Sequence, residues 1–109
     1  MGHSNGTQQE YYADFVNTLL VNKSMTNIAL GIAAEGGEFA NDVRKMEFQG
    51  HPLDKAKLIK ELGDVRFYLQ AAYNALKVTD NEVIEENMIK LGKRYPDGFS
   101  SSKSIGRTE

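Results

Sequence analysis

Leu58, Leu62, Val65, Leu69, Ala72 and Leu76 follow one another at spacings of four and three. That recurrence puts every member on one face of an α-helix and scatters them over both faces of a strand. A seam of about five turns also needs a neighbour to cover it. A second seam, Ile28, Ile32, Phe39, Val43 and Met46, offers one. No alternating strand pattern or β-hairpin signal competes, so the chain reads as all-α.

Local signals divide it into four helices. The first is expected from Glu10 to about Asn22, with Tyr12, Phe15, Leu19 and Asn22 at helical spacing. Ser24 to Asn27 offer N-caps for a second helix running to about Phe48. Gly50-His51-Pro52 breaks that helix, and Pro52 is placed to open a third, which runs to about Lys77. Thr79-Asp80-Asn81-Glu82 is a capping box for a fourth, ending near Arg94 at Tyr95-Pro96-Asp97-Gly98. Residues 1–9 read as a polar arm, 10–99 as a single helical domain and 100–109 as a polar, Ser-rich tail.

Composition narrows the function classes. With 13 basic and 15 acidic residues, the net charge of −2 lacks the basic surplus of a nucleic-acid binder. There is no cysteine, which excludes thiolate ligands and disulfides. The longest apolar run, Ile28 to Ala34, is far short of the ~18 residues of a membrane span. No charged-then-apolar leader opens the sequence, and a cytoplasmic location is the expectation.

Two acidic signatures carry the chemistry. Glu35-Gly36-Gly37-Glu38 lies on the second helix and Glu61-Leu62-Gly63-Asp64 on the third. In each, carboxylates three residues apart share a helical face. Folded antiparallel, the two helices can bring four carboxylates together, and a cation is the ordinary remedy for their repulsion. Glu35, Glu38 and Asp42 each precede a seam position or its equivalent, as Glu61 precedes Leu62 and Asp64 precedes Val65, so both stripes border the packing seams. A solvated acidic face would show the same spacing. Gly36, Gly37 and Gly63 add a second signal, since each costs about 1 kcal/mol relative to alanine inside a helix. They read as places where a metal, a phosphate or a facing helix approaches the backbone. Neither His3 nor His51 follows a glutamate by three, so the ligand set is all-carboxylate, which suits Mg²⁺ or Mn²⁺ rather than iron. On the fourth helix Asn87, Lys90 and Arg94 share a face with Lys93 close by. They form either a phosphate clamp or cations complementing the helix dipole.

Three blocks in order, Ala34-Glu35-Gly36-Gly37-Glu38, Glu61-Leu62-Gly63-Asp64-Val65, and Asn87-Met88-Ile89-Lys90 through Arg94-Tyr95-Pro96-Asp97-Gly98-Phe99, resemble the MazG-type all-α nucleoside triphosphate pyrophosphohydrolases. The resemblance covers about Ala29 to Phe99. It implies a four-to-five-helix bundle with antiparallel helices, completed by association into a homodimer or homotetramer. Glu35, Glu38, Glu61 and Asp64 would be the catalytic residues and the ligands of Mg²⁺, with Mn²⁺ as a substitute. Asn87, Lys90, Arg94 and Tyr95 would bind the nucleotide. The implied reaction cleaves a (deoxy)nucleoside triphosphate between the α- and β-phosphates, giving a nucleoside monophosphate and pyrophosphate, with neither a nucleic-acid polymer nor a membrane as partner. Two other classes keep the same residues without turnover: a nucleotide- or metal-sensing helical module, and an interaction module whose acidic stripe meets a basic partner.

Overall fold

Each helix starts at a side-chain cap in the computed structural model, which describes residues 6–97. The tail at 100–109 and most of the N-terminal arm lie outside the described residues. Helix α1 spans Gln8–Leu19, α2 Met25–Phe48, α3 Lys55–Leu76 and α4 Asp80–Arg94, and no strand occurs among the described residues. The expected all-α class is the observed one. The chain divides into two compact units, one ending at Lys77 and one beginning at Val78.

In the first unit, α1 begins two residues earlier than expected. Thr7 accepts from the Glu10 backbone N–H while the Glu10 side chain accepts from that of Thr7, a reciprocal cap that draws Gln8 and Gln9 into the helix. It also stops earlier, at Leu19. Asn22, expected in the helix, builds the link instead: its side chain accepts from Ser24 and its carbonyl from the Asn27 side chain. Ser24 then caps α2. At the other end of α2, Gly50 adopts φ +72°, a left-handed conformation that favours glycine. Pro52 does not open α3; it lies in the connection before it, and Asp54 caps the helix by accepting from Lys57.

The core is small. Val16, Ile28 and Ala71 are its buried apolar residues, with Tyr12, Leu20, Ile32, Phe67 and Ala72 against them. Helix α3 packs along α2 and, over a shorter stretch, against α1. This double duty corrects the expected single seam. Leu58, Val65, Leu69 and Ala72 are half-buried, but Leu62 and Leu76 are exposed while Gln70 and Ala71 are buried. Gln70 is satisfied by donating to Asn74, which donates in turn to the Ala13 carbonyl of α1. The surface α3 buries therefore follows two partners rather than one stripe.

Glycine marks a close approach of α2 and α3, though not where expected. A Cβ at Gly31 would collide with the ring of Tyr68. Among the described residues nothing lies within 4 Å of the corresponding point at Gly36, Gly37 or Gly63, so no described helix facing them accounts for them.

The second unit is α4, opened by the expected capping box of Thr79 and Glu82 and closed at Tyr95. Lys93 and Arg94 in its last turn complement the helix dipole.

Candidate metal centre

The contacts Gly31–Tyr68 and Lys57–Asp42 pair ascending positions of α2 with descending positions of α3, so the two helices run antiparallel. This register brings carboxylates together at one level. One carboxylate oxygen from each of Glu38, Asp42 and Glu61 lies within 4.8 Å of the other two. Glu38 is exposed, Glu61 half-buried and Asp42 buried, at 9% exposure. The cluster thus has an open side and a closed floor.

Its electrostatics are those of anions forced into company. The Glu61 carboxyl is pushed up from its ordinary 4.5 to about 7, first by hydrogen bonding to Asp42, then by desolvation and by the charge of Asp42, with a further push from Glu38. Lys57 opposes the shift. Its ammonium lies 3.8 Å from Asp42 Oδ2, a contact that supplies charge without a hydrogen bond. Asp42 Oδ2 and Glu61 Oε1 remain buried without a hydrogen-bond partner. Orphaned buried acceptors are costly, and a cation satisfies them together. The donor set is oxygen alone, which fits a hard divalent cation such as Mg²⁺ or Mn²⁺.

Of the four carboxylates expected from sequence, Glu38 and Glu61 converge, and Glu35 and Asp64 lie outside the three-residue group. Each is one helical turn from a member of it, about 5 Å along its own helix axis. Glu35 is half-buried and Asp64 exposed. The charge of Asp64 reaches Tyr12 of α1, where it adds to the effect of burial in raising the phenol against the opposing pull of Arg66. Asp42, left out of the expected ligand set, takes the third place. Its signal was present, because it lies four residues after Glu38 and so on the same face.

Asn87, Lys90, Arg94 and Tyr95 belong to the second unit and all four are exposed. The Arg94 guanidinium lies over the Tyr95 ring at 5.9 Å. Among the aromatic residues, Tyr68 is engaged with Gly31 and meets Phe67 edge-on, whereas Phe48 is 81% exposed.

Two helices that converge carboxylates without imidazole or thiolate define a helical protein able to hold a hard cation. The family model for the MazG nucleotide pyrophosphohydrolase domain matches residues 23–99, and the chain belongs to that family. The match takes in α2, α3 and α4, hence both acidic signatures and Asp42, and leaves α1 outside. No curated protein and no solved structure matches the chain. No helix among the described residues is long and apolar enough to cross a membrane.

Proposed function

We propose that the protein hydrolyses nucleoside triphosphates between the α- and β-phosphates, releasing pyrophosphate, with a divalent cation held by Glu38, Asp42 and Glu61. The observation that supports this most directly is the buried Asp42 carboxylate, unsatisfied at Oδ2 and facing two more carboxylates inside the family-matched span. Glu35 and Asp64, one turn away, extend the ligand set. Mg²⁺ at the cluster would offset phosphate charge and lower the pKa of a bound water. The protein's own part is positioning and proton transfer. Glu38 and Asp42 keep their oxygens on one face of α2, and Lys57 limits the repulsion at Asp42. Water adds to the α-phosphorus, the bond to the bridging oxygen breaks, and pyrophosphate leaves. The attacking water's proton passes to a carboxylate not committed to the cation. Asn87, Lys90 and Arg94, with Tyr95 beside them, share one end of α4 and would contact the phosphates, where cations offset the charge of the leaving group.

Association of copies belongs to the same reading. Leu30, Leu62 and Leu76 are about half or more exposed on helices whose shared core is small, which is the condition for a dimer or tetramer to bury the remainder. The decisive experiment is a panel of ribo- and deoxynucleoside triphosphates assayed for pyrophosphate release with Mg²⁺, with Mn²⁺ and with excess chelator. Turnover that vanishes on chelation is expected. Nucleotide binding without turnover across the whole panel would replace this reading with the sensor, and undiminished release in chelator would remove the metal from it.

A further inference from the structure

Helices α1 and α3, with the link that follows α1, line an open cavity of about 310 Å³ well away from the carboxylates. Its lining residues from Ala71 to the C-cap Lys77 lie about 15 to 24 Å from Glu61 along the α3 axis, at ~1.5 Å per residue. The floor is apolar: Val16 is fully buried, Ala71 is 4% exposed, and Leu20 packs beside them. One wall is fixed, because Asn74 accepts from Gln70 and donates to the Ala13 carbonyl, tying α3 to α1. The volume sits at the lower end of the range for small-molecule sites, which are commonly apolar with a few placed polar groups.

Two lysines line this cavity. Lys23 donates to the Leu20 carbonyl at 2.7 Å, which holds its ammonium at the rim and leaves two N–H groups to offer. Lys77 is the only non-glycine residue among the described ones with positive φ, at 59°. It closes α3 in the left-handed conformation where glycine is the cheap choice. A long side chain kept in that conformation, at the mouth of a cavity, is the kind of local strain that accompanies function. Among the described residues neither ammonium forms an ion pair.

We propose that this cavity is a binding site for a small organic anion, with a ring-sized apolar body on Val16, Leu20 and Ala71 and a phosphate or carboxylate between Lys23 and Lys77. It is separate from the candidate metal centre and does not depend on the function proposed for it. Both halves of the ligand are required: Val16, Leu20 and Ala71 offer a bare anion no hydrogen bond, and the ammonium groups gain nothing from a neutral hydrocarbon.

The test is a titration of the ¹⁵N-labelled full chain, without divalent metal, with phenyl phosphate, benzoate, phenol and inorganic phosphate. Saturable shifts of the Ala71, Asn74 and Lys77 amides are expected with phenyl phosphate or benzoate, at affinity at least tenfold above phenol and inorganic phosphate. Whichever of the two anions binds more tightly identifies the head group. Lys77→Gly relieves the backbone strain and so preserves the fold. It should weaken the organic anion at least fivefold while leaving phenol unchanged, and Lys23→Gln should do the same. Shifts confined to residues around Glu38 and Glu61, equal affinity for phenol and phenyl phosphate, or unchanged binding in both variants would each overturn the proposal.

Discussion

Charge is handled in opposite ways by the α2–α3 pair and by α4. On α2 and α3, three carboxylates approach within 4.8 Å, one is buried, and two oxygens lack hydrogen-bond partners. On α4, Asn87, Lys90 and Arg94 are spread along an exposed face. Solvated cations near a helix C-terminus relieve the dipole and cost nothing to maintain. Converged anions are a cost in the empty protein that disappears when a cation arrives. The first arrangement therefore carries a cost that a cation would remove, and the second carries none. Substitutions in the two regions should differ accordingly.

The largest effect is expected at Asp42. Asp42→Asn keeps the shape and removes the buried charge, so pyrophosphate release should fall by about 100-fold or more, on the scale seen when metal-site shells are disturbed. Glu38→Gln should do likewise. The same Asp42→Asn change should raise the thermal midpoint of the metal-free protein, because repulsion with Glu61 is lost. Near-normal turnover in the Asp42 variant, with metal affinity intact, would return the cluster to the status of a surface feature.

Next in size is a dependence on pH. Glu61 carries a raised pKa of about 7 in the folded chain against an ordinary 4.5, so the native state holds this proton more tightly than the unfolded state does. Its contribution to the stability of the metal-free protein is full below about pH 4.5 and is lost as pH rises through about 7. Metal affinity runs the other way, since a ligand must be deprotonated. Mg²⁺ binding at pH 6 should be about tenfold weaker than on the plateau above pH 8, with close to one proton released on binding. Calorimetry in two buffers of different ionisation enthalpy measures both. Constant affinity from pH 6 to pH 8 would break the link between the Glu61 proton and the cation.

Arg94→Ala probes the other side of the comparison and should do less. If α4 contacts phosphates, kcat/KM should drop by a similar factor, about tenfold, for every nucleoside triphosphate, leaving the ranking of bases unchanged. A reordered panel with overall rates preserved would move that end of α4 from the phosphates to the base.

How far these features could be read without coordinates depends on how local they are. The Ser24 and Thr79 caps depend on residues within one turn, and both were legible. Thr7-Gln8-Gln9-Glu10 carries the same signature, yet its first three residues read as the end of a polar, glycine-containing arm. The α3 seam misassigned Leu62 and Leu76 because a one-stripe pattern cannot describe a helix gripped by two partners. For the site, spacing identified the face of α2 that bears Glu38 and Asp42. Which carboxylates meet depends on the offset between α2 and α3, and the bulk of Tyr68 against Gly31 is part of what sets it. Periodicity carries no information about that offset.

The smallest effect contrasts two glycines five residues apart on α2. At Gly31 the added methyl of Gly31→Ala would meet the Tyr68 ring, and overpacking of this kind costs about 1–3 kcal/mol. At Gly36 it meets nothing within 4 Å, and the residue lies in the helix interior. Gly36→Ala should therefore stabilise the fold by about 0.5–1 kcal/mol, raising the thermal midpoint by a few degrees for a domain of this size. The sequence retains glycine all the same, one residue after Glu35 and two before Glu38. If the open backbone there admits the triphosphate, the more stable Gly36→Ala variant should show a raised KM for nucleotide at little-changed kcat, because the methyl obstructs approach without touching the carboxylates. A stabilised variant with unaltered KM would mean that Gly36 serves no substrate. The functional contrast would then narrow to the charges, converged on α2 and α3 and dispersed on α4.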